Sequence, residues 1–120
     1  MSADLPLVLV VDDEPINIRL INFMVEQQGL GQSVPCDDPR KAMAMLASRK
    51  FDMVLLDLHM PWLSGHELLA EMNRDHPDVP VLIMTAEDKV ETAVACIREG
   101  AFDFLVKPLD QNRLLPAMRN

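Results

Sequence analysis

Apolar residues along this chain fall into short continuous runs separated by stretches with helical spacing. Leu7 to Val11, Met53 to Leu56 and Pro80 to Met84 are too short for helices and rich in branched side chains. Such runs read as strands buried on both faces, the pattern of parallel sheets. Gln32 to Cys36 is a weaker strand signal, and Phe102 to Val106 gives a fifth. Between them, Ile16, Leu20, Phe23 or Met24, and Gln27 follow helical spacing, with Pro15 in the first turn and Gly29 closing the segment. A second helix begins at Asp38-Pro39, with Ala42, Met43, Leu46 and Ala47 facing inward. Leu68, Leu69 and Met72 mark a third, stopped at His76-Pro77, and Val90, Ala93, Val94 and Ile97 a fourth, closed by Gly100. Asp110 is placed to cap a last helix with Leu114 and Leu115 inside. Pro116 removes a backbone donor there and should leave that helix short or kinked.

Five strands alternating with five helices predict an α/β fold, a parallel sheet wound on both faces, formed by residues 1–120 as a single domain. Sequence order does not give sheet order. A flavodoxin-like switch point between the first and third strands would bring their two acidic ends together.

Composition narrows the partners. With 120 residues the chain buries one core. A net charge of −8, with Lys and Arg scattered rather than clustered, argues against direct binding of nucleic acid or an anionic membrane. No apolar run approaches membrane length, and the start lacks a signal-peptide pattern. Cys36 and Cys96 form neither a disulfide framework nor a metal spacing, which suits free thiols in a reducing cytosol. His59, His66 and His76 share no ligand spacing and are read as non-metal residues.

The chemistry sits where the apolar runs stop. The first strand ends in Asp12-Asp13, the third in Asp57, the fourth in Thr85 and the fifth in Lys107. Taken singly, each has an ordinary explanation: a helix-terminal charge cluster, a strand-end acid, a β-branched strand residue, a solvated lysine. Together at one sheet edge they do not, because clustered carboxylates repel unless a cation joins them. Hard oxygen donors with room for water suit Mg²⁺. Metal, ammonium and hydroxyl around a carboxylate nucleophile make a pocket that neutralises a phosphoryl group in transfer.

The acidic pair Asp12-Asp13, with Asp57, Pro61, Gly65, Thr85-Ala86, Phe104 and Lys107-Pro108, each at the end of or within its predicted element, resembles the receiver domain of bacterial two-component response regulators. The resemblance covers essentially the whole chain. It implies that Asp57 accepts a phosphoryl group from a histidine kinase or a histidine phosphotransfer protein. It also implies that Asp12, Asp13, Asp57 and the backbone carbonyl of His59 surround Mg²⁺, and that Thr85 and Lys107 bind phosphoryl oxygens. Phe104 takes the place of the switch aromatic, where Tyr is also common, and the Lys107-Pro108 bond is expected to be cis. The face formed by the fourth helix, fifth strand and fifth helix would then control a fused or separate output domain, or a homodimer. Gly100-Ala101-Phe102-Asp103-Phe104 resembles receivers of AAA-type transcriptional activators. The chain ends four residues after Pro116, which suggests a receiver cut from a longer protein.

Other classes fit less well. Phosphatases with an Asp nucleophile place a second acid two residues later, where this chain has His59, and the chain offers no cap domain. A flavin carrier needs a Ser/Thr/Gly-rich phosphate loop after the first strand, and Asp12-Asp13-Glu14 would repel phosphate instead. A receiver that only binds, without accepting phosphate, would be expected to lack one of these acids or the lysine. His59 and Glu87, each two residues beyond Asp57 or Thr85, are expected to flank the path of water towards an acyl phosphate.

Overall fold

The computed structural model describes residues 5–119. Strands β1 (Leu7–Val11), β2 (Gln32–Cys36), β3 (Met53–Asp57), β4 (Val81–Thr85) and β5 (Asp103–Val106) alternate with helices α1 (Pro15–Gln27), α2 (Ala42–Ser48), α3 (Gly65–Asp75), α4 (Val90–Arg98) and α5 (Gln111–Arg119). All strand pairs are parallel, in the order β2-β1-β3-β4-β5. The chain therefore leaves β1 for one edge, returns past it to β3, and creates a switch point between them. β2 tolerates Pro35, which cannot donate to a ladder, because it is an edge strand.

Strand alternation divides the core in two. Leu9, Val11, Val54, Leu56 and Ile83 pack towards α2, α3 and Cys96 of α4. Val8, Val10, Leu55, Leu82 and Met84 pack towards α1 and α5. Both faces of β3 are covered, so Val54, Leu55 and Leu56 are wholly buried. Each such side chain stabilises the fold by about 1.5–3 kcal/mol, which makes β3 a rigid mount for the residue that follows.

Several local expectations change. The inward face of α1 is Ile21, Met24 and Val25, while Ile16, Leu20 and Phe23 are exposed. The helix carries two apolar stripes, and spacing alone does not say which meets the sheet. On α2 Ala47 is exposed rather than inward, and on α4 Val90, Val94 and Ile97 face solvent, leaving Cys96 as the buried residue. β4 and β5 each begin one residue later than predicted. α5 is nine residues long with Pro116 inside it, and Asp110 Oδ1 accepts the Arg113 N–H at 3.1 Å as its cap.

Glycine at position 65 has a packing reason rather than only a chain-breaking one. A Cβ there would stand 2.6 Å from Leu58 Cα, so only glycine lets the start of α3 close against the end of β3. Ser64 caps that helix, its Oγ accepting the Glu67 N–H at 3.2 Å.

Candidate functional site

The parallel sheet delivers every polar strand end to one edge. Asp12 follows β1, Asp57 is the last residue of β3, Thr85 the last of β4, and Lys107 follows β5. Because β1 and β3 are neighbours, Asp12, Asp13 and Asp57 converge, with carboxylate oxygens within 4.8 Å of one another. This acidic cluster could hold a metal ion. Leu58 N–H bonds to Met84 O at 3.0 Å, which sets Thr85 beside the end of β3. Lys107 N–H bonds to Thr85 O at 2.7 Å, which turns the β5 end over the same edge. The Lys107-Pro108 peptide that follows is cis.

Lys107 ties the cluster together. Its Nζ donates to Asp12 Oδ2 at 3.0 Å and lies 3.3 Å from Asp57 Oδ2. Asp12 and Thr85 are wholly buried, and Asp57 is 4% exposed. Burial pushes the Asp57 carboxyl up to about 6; the Lys107 charge opposes that rise and the Asp12 charge adds to it. Burial works against the Lys107 ammonium, but the hydrogen bond to Asp12 and the charges of Asp57 and Asp12 prevail and raise it above its ordinary value. The two groups thus answer to each other across the site.

The remaining oxygens are fixed by backbone. Asp12 Oδ1 accepts the Glu14 N–H at 2.9 Å, and Asp57 Oδ1 accepts the His59 N–H at 3.3 Å. Thr85 Oγ1 accepts the Glu87 N–H at 3.2 Å. Around the rim, His59 Nε2 meets Glu87 Oε2 at 2.9 Å, and Thr92 Oγ1 donates to Glu87 Oε1. Phe104 stands apart from the polar cluster. It is half-buried on β5 opposite Ile83, on the same sheet face as Thr85, and packs against the α3 and α4 side of the core.

Sequence reasoning passed over Glu14 as a site residue. It stands at the N-cap of α1, yet its side chain does not cap the helix; Oε1 accepts from Asn17 Nδ2 at 2.8 Å and lies 3.9 Å from Lys107 Nζ. Its place directly after the acidic pair was the available signal. A cavity of about 620 Å³, lined by Arg49, Phe51, Asp52 and His76 among others, lies at the opposite sheet edge, before β3 and β4.

Residues 8–119 match the response regulator receiver domain family. The chain belongs to that family. It is 37% identical over 110 residues to the nitrogen assimilation regulatory protein NtrX of Azorhizobium caulinodans, covering 90% of this chain and 24% of that protein. It is 35% identical over 114 residues to the transcriptional regulatory protein ZraR of Klebsiella oxytoca, covering 95% of this chain and 26% of that one. The chain thus spans about a quarter of the length of these curated relatives. Among solved structures, a response regulator receiver domain protein from Clostridium thermocellum superposes with a TM-score of 0.89 at 30% identity, covering 97% of this chain and 93% of that one. A response regulator from Burkholderia pseudomallei, solved with a phosphorylated aspartic acid, a calcium ion and citrate, superposes with a TM-score of 0.85 at 26% identity, covering 94% and 66%. As a receiver, this is a signalling domain of two-component systems, and receivers generally bind Mg²⁺. Among the described residues, no helix is long and apolar enough to cross a membrane.

Proposed function

We propose that Asp57 is the phosphoacceptor of this receiver, taking a phosphoryl group from a phosphohistidine on a histidine kinase or a histidine phosphotransfer protein. The observation that carries this reading is the Lys107 ammonium, held within 3.3 Å of a buried Asp57 while also bonded to Asp12. A carboxylate kept from water by its burial is poorly solvated and therefore nucleophilic. At neutral pH it is still mainly ionised, since its value is near 6. One Asp57 oxygen attacks phosphorus as the bond to the donor imidazole nitrogen breaks, and the imidazole leaves with the electron pair. Lys107 and the Thr85 hydroxyl bond the phosphoryl oxygens as charge gathers on them.

The donor set fits Mg²⁺. Asp12, Asp13 and Asp57 bring three carboxylates together, two of them buried, while Lys107 answers for only one charge. The residual negative charge calls for a hard dication, which Asp12, Asp13, Asp57 and the His59 backbone carbonyl would hold. Bound there, Mg²⁺ would neutralise the oxygens of the transferred group.

The exposed stripe Ile16, Leu20 and Phe23 begins two residues after Glu14, beside the site, and gives the histidine-bearing partner an apolar surface to meet. Output is assigned to the face of α4, β5 and α5, through Thr85 and Phe104, acting on a fused or separate output domain or a second copy. The relatives' greater length supports a fused output domain, and hence a receiver carried in a longer protein.

Acetyl phosphate with Mg²⁺ tests the reading. Intact-mass spectrometry should show one added phosphoryl group, acid-stable and base-labile, that is absent from Asp57→Asn. Equal labelling of both proteins would overturn the assignment.

A further inference from the structure

A second constellation lies outside the strand-end site. His66 is the second residue of α3, Cys96 lies in the last turn of α4, and Glu99 is the residue that ends α4. His66 Nδ1, Cys96 Sγ and a Glu99 carboxylate oxygen all lie within 4.8 Å of one another. His66 Nδ1 meets Glu99 Oε1 at 2.8 Å, across 33 residues of chain, with Cys96 wholly buried beside them. We propose that these three side chains form a second cation site, for a borderline-soft divalent ion of the Zn²⁺ type, stapling α3 to α4.

The donor set selects the ion. One nitrogen, one sulfur and one oxygen suit Zn²⁺, bound at about 2.0–2.3 Å with a fourth position left for water. The all-carboxylate strand-end cluster favours a hard ion instead, so the two sites discriminate.

Helix electrostatics point the same way. Glu99 places a carboxylate at the negative end of the α4 dipole, an unfavourable location that a cation would relieve. The Glu99 backbone is anchored at the helix end, its N–H bonded to the Ala95 and Cys96 carbonyls.

Access and proton balance follow from burial. The His66 and Glu99 side chains are 38% and 39% exposed, so an ion would enter between them by parting the pair. Burial, with the charges of Glu99 and Glu87 adding, pushes the Cys96 thiol up to about 11. The thiol is therefore protonated at neutral pH and gives up one proton as the S–metal bond forms, while the Nδ1 proton that His66 donates to Glu99 passes to Nε2 so that Nδ1 can take the ion.

The test uses the whole chain in excess Mg²⁺, with Zn²⁺ and Co²⁺ as probes. One equivalent should bind, releasing about one proton, and Co²⁺ should give a thiolate-to-metal absorption band. Loss of a partner outside the ligand set already costs ~10–100-fold in affinity, so His66→Gln and Glu99→Gln should each weaken Zn²⁺ binding by at least ~10-fold. Both are surface changes and should leave the fold and Asp57 labelling intact, whatever Cys96→Ser does to the interior. Absence of the thiolate band, or equal Zn²⁺ affinity for wild type and His66→Gln, would overturn the proposal.

Discussion

His59 and Glu87 meet at the rim of the site, imidazole Nε2 to carboxylate Oε2 at 2.9 Å, although they stand 28 residues apart. The contact bridges the loop after β3 to the loop after β4. Through its other oxygen Glu87 holds Thr92 in the first turns of α4. Those two bonds, Thr92 first, keep the Glu87 carboxyl below its ordinary range. A pair so placed would close one side of a route by which water reaches a group on Asp57. His59→Ala should hydrolyse its acyl phosphate severalfold faster than wild type while still becoming labelled. Glu87→Ala should do the same and also raise amide exchange at the start of α4. Unchanged decay of both variants in a phosphate-release assay would remove the pair from the water path.

Burial sets a pH signature. The folded Asp57 carboxyl, near 6, lies above an unfolded Asp at about 3.9. A raised folded value means that the native state holds this proton more tightly, so its stabilising contribution is complete below about pH 4. It is lost as pH rises through about 6. Above that, in metal-free buffer, the buried carboxylate costs on the order of 2–3 kcal/mol. Asp57→Asn should therefore be more stable than wild type at about pH 8, with the gain shrinking towards pH 4. Denaturant melts in chelator across that range would decide it; a gain that does not vary with pH would contradict the assignment.

A bound dication should reverse that cost in the wild type. At Mg²⁺ about 100-fold above its Kd the linkage gain is about 2.7 kcal/mol. Asp13 is half-buried and, unlike Asp12, makes no bond to Lys107, so a cation is its natural partner. Asp13→Ala should lose the Mg²⁺-dependent rise in melting temperature. Survival of that rise would place the metal elsewhere.

The strand-end site was legible in sequence because each residue closes a short apolar run, and a parallel sheet sends all such ends to one edge. Asp12, Asp57, Thr85 and Lys107 needed no side-chain geometry to be grouped. Which face of α1 turns inward was not legible, since Leu20 and Ile21, Phe23 and Met24 offer the sheet alternative apolar stripes of similar character. Packing against Val8, Val10 and Leu55 decides for Ile21 and Met24. His66 and Cys96 showed no ligand spacing because their meeting depends on how α3 and α4 lie against the sheet, and that is a tertiary fact. The cation–π contact of Arg40 on Trp62, 4.2 Å to the ring centroid, escaped for the same reason.

Phosphorylation should leave the site through Thr85. A phosphoryl group adds roughly −1.5 to −2 charge and three strong acceptors. The Thr85 hydroxyl now accepts from the Glu87 backbone, and its own proton is free to be given to one of those acceptors. Moving towards Asp57 would vacate room on the sheet face that Thr85 shares with Phe104, where the ring packs beside Ile83 and the α4 side of the core. The ring turning into that room would alter the surface carrying the exposed Val90, Val94 and Ile97. Such a coupling is worth about 1–3 kcal/mol. Thr85→Ala should still become labelled on Asp57 but fail to transmit. Amide NMR with and without beryllofluoride should show large shifts at Val90–Ile97 and Phe104 in wild type and small ones in the mutant. Shifts of equal size in both proteins would mean that the signal leaves Asp57 by another residue.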